Sequence, residues 1–145
     1  MSLWADYLAA HPEHSGEVPP VEGFGDTPAM ADELLDLVLN GPKRATAGLA
    51  EDEDVPAVGS HWIVTDGEGR ERVILRTREV RVGRLDSVDD AFAWDEGEGD
   101  RSRDAWLREH RAFFRRTADR PLSDEDLDAL PVVFERFDLV WPPER

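Results

Sequence analysis

No cysteine occurs anywhere in this chain, which excludes a disulfide framework, a thiolate nucleophile and a zinc centre of the cysteine type. No apolar run approaches the length of a membrane span, and the first residues lack the basic-then-apolar order of a secretory signal. The sequence therefore predicts a cytoplasmic protein with no membrane partner. Positive charge is scarce too: 17 Lys and Arg face 33 Asp and Glu, a formal net charge of -16. That balance argues against a general electrostatic grip on nucleic acid, which rests on basic side chains neutralising phosphates, but it leaves room for a local basic groove. An acidic, well-solvated surface accounts for the charge by itself.

Lysine is missing from all positions but one. Every other basic residue is Arg, and Lys43 stands in Asn40-Gly41-Pro42-Lys43-Arg44-Ala45-Thr46, where a strongly patterned helix gives way to the first β-like run. Arginine stays protonated in proteins, whereas a desolvated lysine can release its proton and act as base or nucleophile, so the two are chemically unequal at such a position. A surface lysine retained by chance is the competing explanation.

What is present suits one domain, since 145 residues with 40% hydrophobic content can bury a single core. A short helix is expected over residues 3–10, with Leu3, Trp4, Tyr7 and Leu8 on one face. The following stretch, rich in Pro, Gly and Glu, reads as an extended arm. His11 and His14 are spaced like metal ligands, but in a cysteine-free loop poor in carboxylates they assign no metal, and no cofactor is expected. Thr27-Pro28 marks a helix start and Asn40-Gly41-Pro42 its stop, giving a helix over 29–39. Strands follow at 45–49, 62–64 and 72–82, the last two joined by Asp66-Gly67-Glu68-Gly69 as a hairpin turn. The acidic run Glu51-Asp52-Glu53-Asp54 reads as a solvated loop. Along the long strand Arg70, Arg72, Arg76 and Arg78 recur at even spacing, so an unbroken strand would collect them on one face as a basic patch or as a solvated face shared with Glu71 and Glu79. Further helices are expected over 88–94, from 103 to about 117 behind a Ser102 cap, and from Ser123 through Ala129, before a closing strand at 132–141. Trp106, His110, Phe113 and Phe114 form a stripe at helical spacing, with His110 read as a satisfied, half-buried histidine. Short strands with interspersed helices, without a βαβ rhythm, indicate a small α+β barrel.

Several separated motifs, in order, resemble the ASCH domain: Phe24-Gly25-Asp26-Thr27-Pro28, Ala31-Asp32-Glu33-Leu34-Leu35, Gly41-Pro42-Lys43-Arg44-Ala45-Thr46, Ala93-Trp94-Asp95-Glu96-Gly97, Glu98-Gly99-Asp100-Arg101-Ser102, Trp106, His110, Phe113-Phe114 and Phe134-Glu135-Arg136-Phe137. The resemblance covers residues 24 to 141. It implies residues 1–23 as an N-terminal helix and arm, and 24–145 as a PUA-like domain: a compact β-barrel of about five or six strands with flanking helices. It also implies a nucleoside or RNA partner; the sequence sets no oligomeric state.

Some small bacterial members of this family are amidohydrolases that remove the acetyl group from N4-acetylcytidine, using a lysine, a threonine three positions later and a downstream glutamate. Lys43 and Thr46 match the first two; Glu96 is the better match for the third and Glu98 the alternative. In that chemistry Thr46 attacks the amide carbonyl, neutral Lys43 takes its proton, and Glu96 positions the lysine or protonates the leaving amine. Residues three apart share a helical face but point to opposite faces of a strand, so Lys43 and Thr46 cooperate only if the chain between them curves. A neutral lysine needs burial or a neighbouring cation such as Arg44, and the surrounding carboxylates oppose it. A protonated Lys43 instead suits phosphate binding or an oxyanion. In a noncatalytic RNA-binding module, the second class, Arg76 and Arg78 contact phosphates and Trp94 stacks on a base. A metal-assisted ribonuclease, a third option within the family, draws on Asp100 and Ser102, although Ser102 equally reads as a helix cap.

Overall fold

A computed structural model describes residues 2–51 and 55–142; Asp52, Glu53 and Asp54 of the acidic run lie outside these. The elements are α1 (Leu3–Ala10), a 3-10 turn (Pro12–His14), β1 (Val21–Gly23), α2 (Pro28–Asn40), β2 (Ala45–Leu49), β3 (His61–Thr65), β4 (Glu71–Arg84), a second 3-10 turn (Leu85–Ser87), α3 (Asp90–Glu96), α4 (Arg103–Thr117), α5 (Asp124–Asp128) and β5 (Pro131–Trp141). The helix starts follow the expected cap chemistry. Thr27 Oγ1 accepts from Met30 N–H ahead of α2, Ser102 Oγ from Ala105 N–H ahead of α4, and Ser123 and Asp126 close a reciprocal capping box on α5.

Among the described residues five strands form one sheet in the order β1-β3-β4-β5-β2, flanked by five helices, an α+β fold. β1 arises within the stretch read as an extended arm and pairs parallel with β3. β3 and β4 pair antiparallel through the Asp66–Gly69 turn, and β2 pairs antiparallel with β5, Ala45 opposite Arg136 and Leu49 opposite Val132. Among the described residues no helix is long and apolar enough to cross a membrane.

Two compact units divide the chain. The first is drawn from residues 2–41, 56–78 and 137–142, the second from 42–51, 55 and 79–136, so β4 and β5 each run from one unit into the other. In the first unit, Phe24, Leu35, Val38, Val64, Val73, Leu75 and Phe137 make one apolar cluster, and Tyr7 of α1 joins Ile63 and Ile74 in another. In the second, one face of β2 (Ala45, Ala47, Leu49) and one face of β5 (Val132, Phe134) pack with Phe92 and Ala93 of α3, Trp106, Leu107 and Phe114 of α4, and Leu127 of α5. Each fully buried Val, Leu, Ile or Phe side chain among these contributes about 1.5–3 kcal/mol of transfer free energy.

The expected row of four arginines does not form. A bulge interrupts the hairpin, with Val64 opposite Val73 but Thr65 opposite Glu71, so Arg72 falls out of register and the alternation breaks. Arg70 and Arg72 turn onto Asp66, at 3.0 and 3.3 Å, while Arg76 Nε donates to the Gly59 carbonyl and Arg78 faces Asp138 at 3.8 Å. Burial opposes ionisation of Asp66, yet the Arg70 and Glu68 N–H groups and the two guanidiniums outweigh it and lower its carboxyl to about 2.

Candidate functional site

In the second unit the chain leaves Pro42 without regular structure, and Lys43 turns inward to become almost fully buried, at 1% exposure. Two contacts hold the segment. Arg44 N–H donates to the Asp95 carbonyl at 2.7 Å, and the left-handed Gly97 that ends α3 lies against the Lys43 backbone. A Cβ at Gly97 would come within 2.8 Å of Lys43 N and 2.9 Å of its Cα. Glycine there supplies both the positive φ and the close approach.

Lys43 Nζ lies among oxygen acceptors: the Ala45 carbonyl at 2.8 Å, Glu98 Oε2 at 2.8 Å, Glu96 Oε1 at 3.3 Å and the Glu96 carbonyl at 3.5 Å. This cage suits an ammonium, which has three hydrogens to give and no lone pair to offer. Glu96, itself buried, directs its second oxygen at His110 Nε2, 3.4 Å away. His110 is fixed from behind, because its Nδ1–H donates to the Trp106 carbonyl one turn earlier at 2.8 Å and its ring stacks on Trp106 at 3.8 Å. The result is a line of alternating acidic and basic side chains, Glu98, Lys43, Glu96 and His110, built from three separate parts of the chain.

The electrostatics separate the two glutamates. Burial pushes the Glu96 carboxyl up, but Lys43 and His110 together outweigh it and hold the group below its ordinary range. Glu98 is raised, chiefly by burial and further by the Glu96 charge, with Lys43 opposing. His110 is raised as well: burial disfavours the imidazolium, and the Glu96 carboxylate more than compensates. One carboxylate is thus held ionised beside another that retains its proton more readily, the separation that acid and base roles require.

Of the residues singled out from sequence, Lys43, Glu96 and Glu98 come together. Thr46 forms no hydrogen bond with them. It sits on β2, partly buried, opposite Glu135 of β5 and on the face away from Ala45, Ala47 and Leu49. The Lys43 ammonium bonds the carbonyl of the peptide that joins Ala45 to Thr46. The Arg44 guanidinium donates to the Lys43 carbonyl. Asp100 accepts from both the N–H and the hydroxyl of Ser102, and Ser102 caps α4, so this exposed pair serves the helix start. Trp94 is exposed, with the Arg101 guanidinium 3.6 Å above its ring. Arg76 and Arg78 belong to the first unit.

His110 is the member that residue spacing undervalued. Its helical neighbours are visible in sequence, whereas its carboxylate partner comes from the end of another helix. Arg136, within the Phe134-Glu135-Arg136-Phe137 motif, likewise bridges Asp95 and Glu79 beside the Lys43 segment, a pairing that residue spacing does not show.

Comparison with protein families matches residues 21–141 to the ASCH domain. Among solved structures, the chain is similar to an ASCH domain from Lactobacillus crispatus JV V101, with TM-score 0.81, 27% identity, and 95% of this chain and 91% of that one covered. It is also similar to protein EF3133 from Enterococcus faecalis V583, with TM-score 0.77, 28% identity, and coverage of 95% and 85%. A comparison with curated proteins found no match.

Proposed function

This chain belongs to the ASCH domain family, whose PUA-like fold is of the RNA-binding type, and we propose that it is a hydrolase that cleaves the exocyclic amide of an N4-acylated cytidine. The observation that carries this reading is the buried Lys43, held between a carboxylate kept ionised and one whose proton is retained more readily. Buried charges are costly unless paired, and groups with opposed shifts concentrate at reactive sites.

In this reading Thr46 supplies the attacking oxygen. Its proton passes to Glu98, and the Lys43 ammonium meets the charge that develops on the carbonyl oxygen. Collapse of the tetrahedral intermediate breaks the carbon–N4 bond as Glu98 returns the proton to the leaving amine. Water then hydrolyses the acyl-threonine, Glu98 taking the proton of the attacking water and returning it to the departing Thr46 oxygen, so the products are cytidine and the free acid. Glu96 and His110 act as positioning residues that fix Lys43. This assignment differs from a neutral lysine base because the acceptor cage around Nζ leaves the amine hydrogens, not a lone pair, facing its neighbours.

Incubation with N4-acetylcytidine, with cytidine release followed by chromatography, tests the proposal. Wild type should turn over, while Lys43→Arg, Thr46→Ala and Glu98→Gln should each lose on the order of a hundredfold or more. Turnover surviving Thr46→Ala alone moves the attack to water; turnover surviving Lys43→Arg and Glu98→Gln removes the mechanism. A second reading, RNA binding without turnover, is favoured by the exposed Trp94 with its stacked Arg101. It predicts retained oligonucleotide binding and no cytidine release.

A further inference from the structure

The first unit carries a polar cluster of its own. His61 opens β3 with its side chain fully buried, and both ring nitrogens are held: Nε2 meets Tyr7 Oη at 2.8 Å and Nδ1 meets Glu17 Oε1 at 2.9 Å. The other Glu17 oxygen accepts from the His61 backbone N–H at 2.7 Å. His14 packs edge-on against His61, ring centroids 4.6 Å apart, and flat against Tyr7. Among the described residues its ring nitrogens have only the Glu13 carboxylate within reach, at 4.0 Å. One ligating atom each from His14, Glu17 and His61 lies within 4.8 Å of the others.

We propose that His14, Glu17 and His61 form a binding site for a divalent first-row transition ion of the zinc type, with Tyr7 orienting His61. Two imidazoles and one carboxylate are a borderline nitrogen and oxygen donor set that suits zinc, whereas magnesium and calcium favour oxygen alone. Tyr7 occupies Nε2, so Nδ1 is the ligating nitrogen and Nε2–H donates to the phenol oxygen, the outer contact that fixes the tautomer of a metal-bound histidine. Glu17 is anchored through Oε2 on the backbone, which leaves Oε1 aimed at the centre. Binding replaces the hydrogen bond between Nδ1 and Oε1 by two bonds to the ion, and the ring proton moves from Nδ1 to Nε2, where it faces the Tyr7 oxygen.

Two ligands each about 2.1 Å from one tetrahedral ion lie about 3.4 Å apart, so His61 Nδ1 and Glu17 Oε1, at 2.9 Å, open slightly while separations of up to 4.8 Å in the cluster close. His14 and Glu17, partly exposed at 17% and 29%, are the side chains with room to move. Arg76, opposite His61 across the hairpin, is the adverse charge, and its Nε is committed to the Gly59 carbonyl. Three protein ligands leave a position for water or a substrate oxygen. Two of the three precede residue 21, where the family match begins, so the inference stands independently of the hydrolase reading.

The test is calorimetric titration of the untagged full chain, stripped with chelator, using zinc chloride, with magnesium chloride in parallel. One zinc ion per chain should bind. His14→Ala and Glu17→Gln should each weaken it at least about tenfold with unchanged circular dichroism, and Tyr7→Phe about tenfold. Zinc should raise the melting temperature of wild type and not of His14→Ala, and magnesium should give no saturable stoichiometric binding. Absence of a one-to-one zinc isotherm, or equal affinity in wild type, His14→Ala and Glu17→Gln, overturns the proposal by leaving only adventitious binding to the acidic surface.

Discussion

Glu96 and His110 make opposite demands on pH, and that gives their pairing a measurable signature. Glu96 is held below its ordinary value of 4.5, so its stabilising contribution is present above that value and is lost as pH falls through the lower folded value. His110 is held above its ordinary 6.5, so its contribution is complete below 6.5 and is lost as pH rises through the higher folded value. The pair should therefore stabilise the fold most between about 4.5 and 6.5. Glu98, raised by burial, adds a decline with the same sign as pH rises from its ordinary value. The histidine's share is accordingly the difference between wild type and His110→Gln in urea unfolding. That difference should be roughly 2 kcal/mol inside the window and shrink on the alkaline side; a difference independent of pH would mean that His110 contributes only packing against Trp106. Lys43 was legible in sequence as the solitary lysine, and Glu96 and Glu98 through the resemblance to the ASCH domain. The role of His110 was not, because the charge that raises it arrives from a helix it does not belong to.

At the scale of elements, sequence went furthest where the physics is local. Caps, stops and the Asp66–Gly69 turn are chosen by residues within four positions, and Thr27, Ser102 and Ser123 cap the helices expected of them. β1 was not legible, since three exposed residues, Val21 to Gly23, become a strand only through pairing with β3. The failed arginine row has a similar cause: periodicity cannot show a bulge that becomes visible only in the pairing with β3. The C-terminal end of α3 is the element on which the site turns. Gly97→Ala forces a side chain into left-handed backbone and against Lys43 N, Cα and the Pro42 carbonyl carbon. Strain alone costs about 1–3 kcal/mol, and the contact adds a displacement of the lysine segment. Gly69→Ala, at a φ of 80° with nothing within 4 Å, isolates the strain. Thermal denaturation should show Gly97→Ala losing clearly more than Gly69→Ala, and Gly97→Ala alone should reduce cytidine release; equal losses in melting temperature would show that the approach to Lys43 carries no weight.

For the whole molecule the governing quantity is the net charge of -16. A polyanion approaching such a chain meets net repulsion, and the arginines that sequence offered as phosphate contacts already face backbone or carboxylate: Arg76 the Gly59 carbonyl, Arg78 the Asp138 carboxylate. An uncharged nucleoside meets no such field, so the charge favours a small neutral substrate over a strand of RNA. Salt separates the two. Binding that neutralises three phosphates of a single strand should weaken about 40-fold as sodium chloride rises from ~50 to ~300 mM, whereas turnover of a neutral nucleoside should change less than about twofold, because no counterions are released. Because Lys43 and Glu96 are buried, and buried pairs are screened far less than exposed ones, their geometry should persist over that range. Cytidine release measured at subsaturating N4-acetylcytidine across this range is therefore expected to stay nearly level. A steep fall would place charged surface groups in substrate binding, and with them a phosphate on the true substrate.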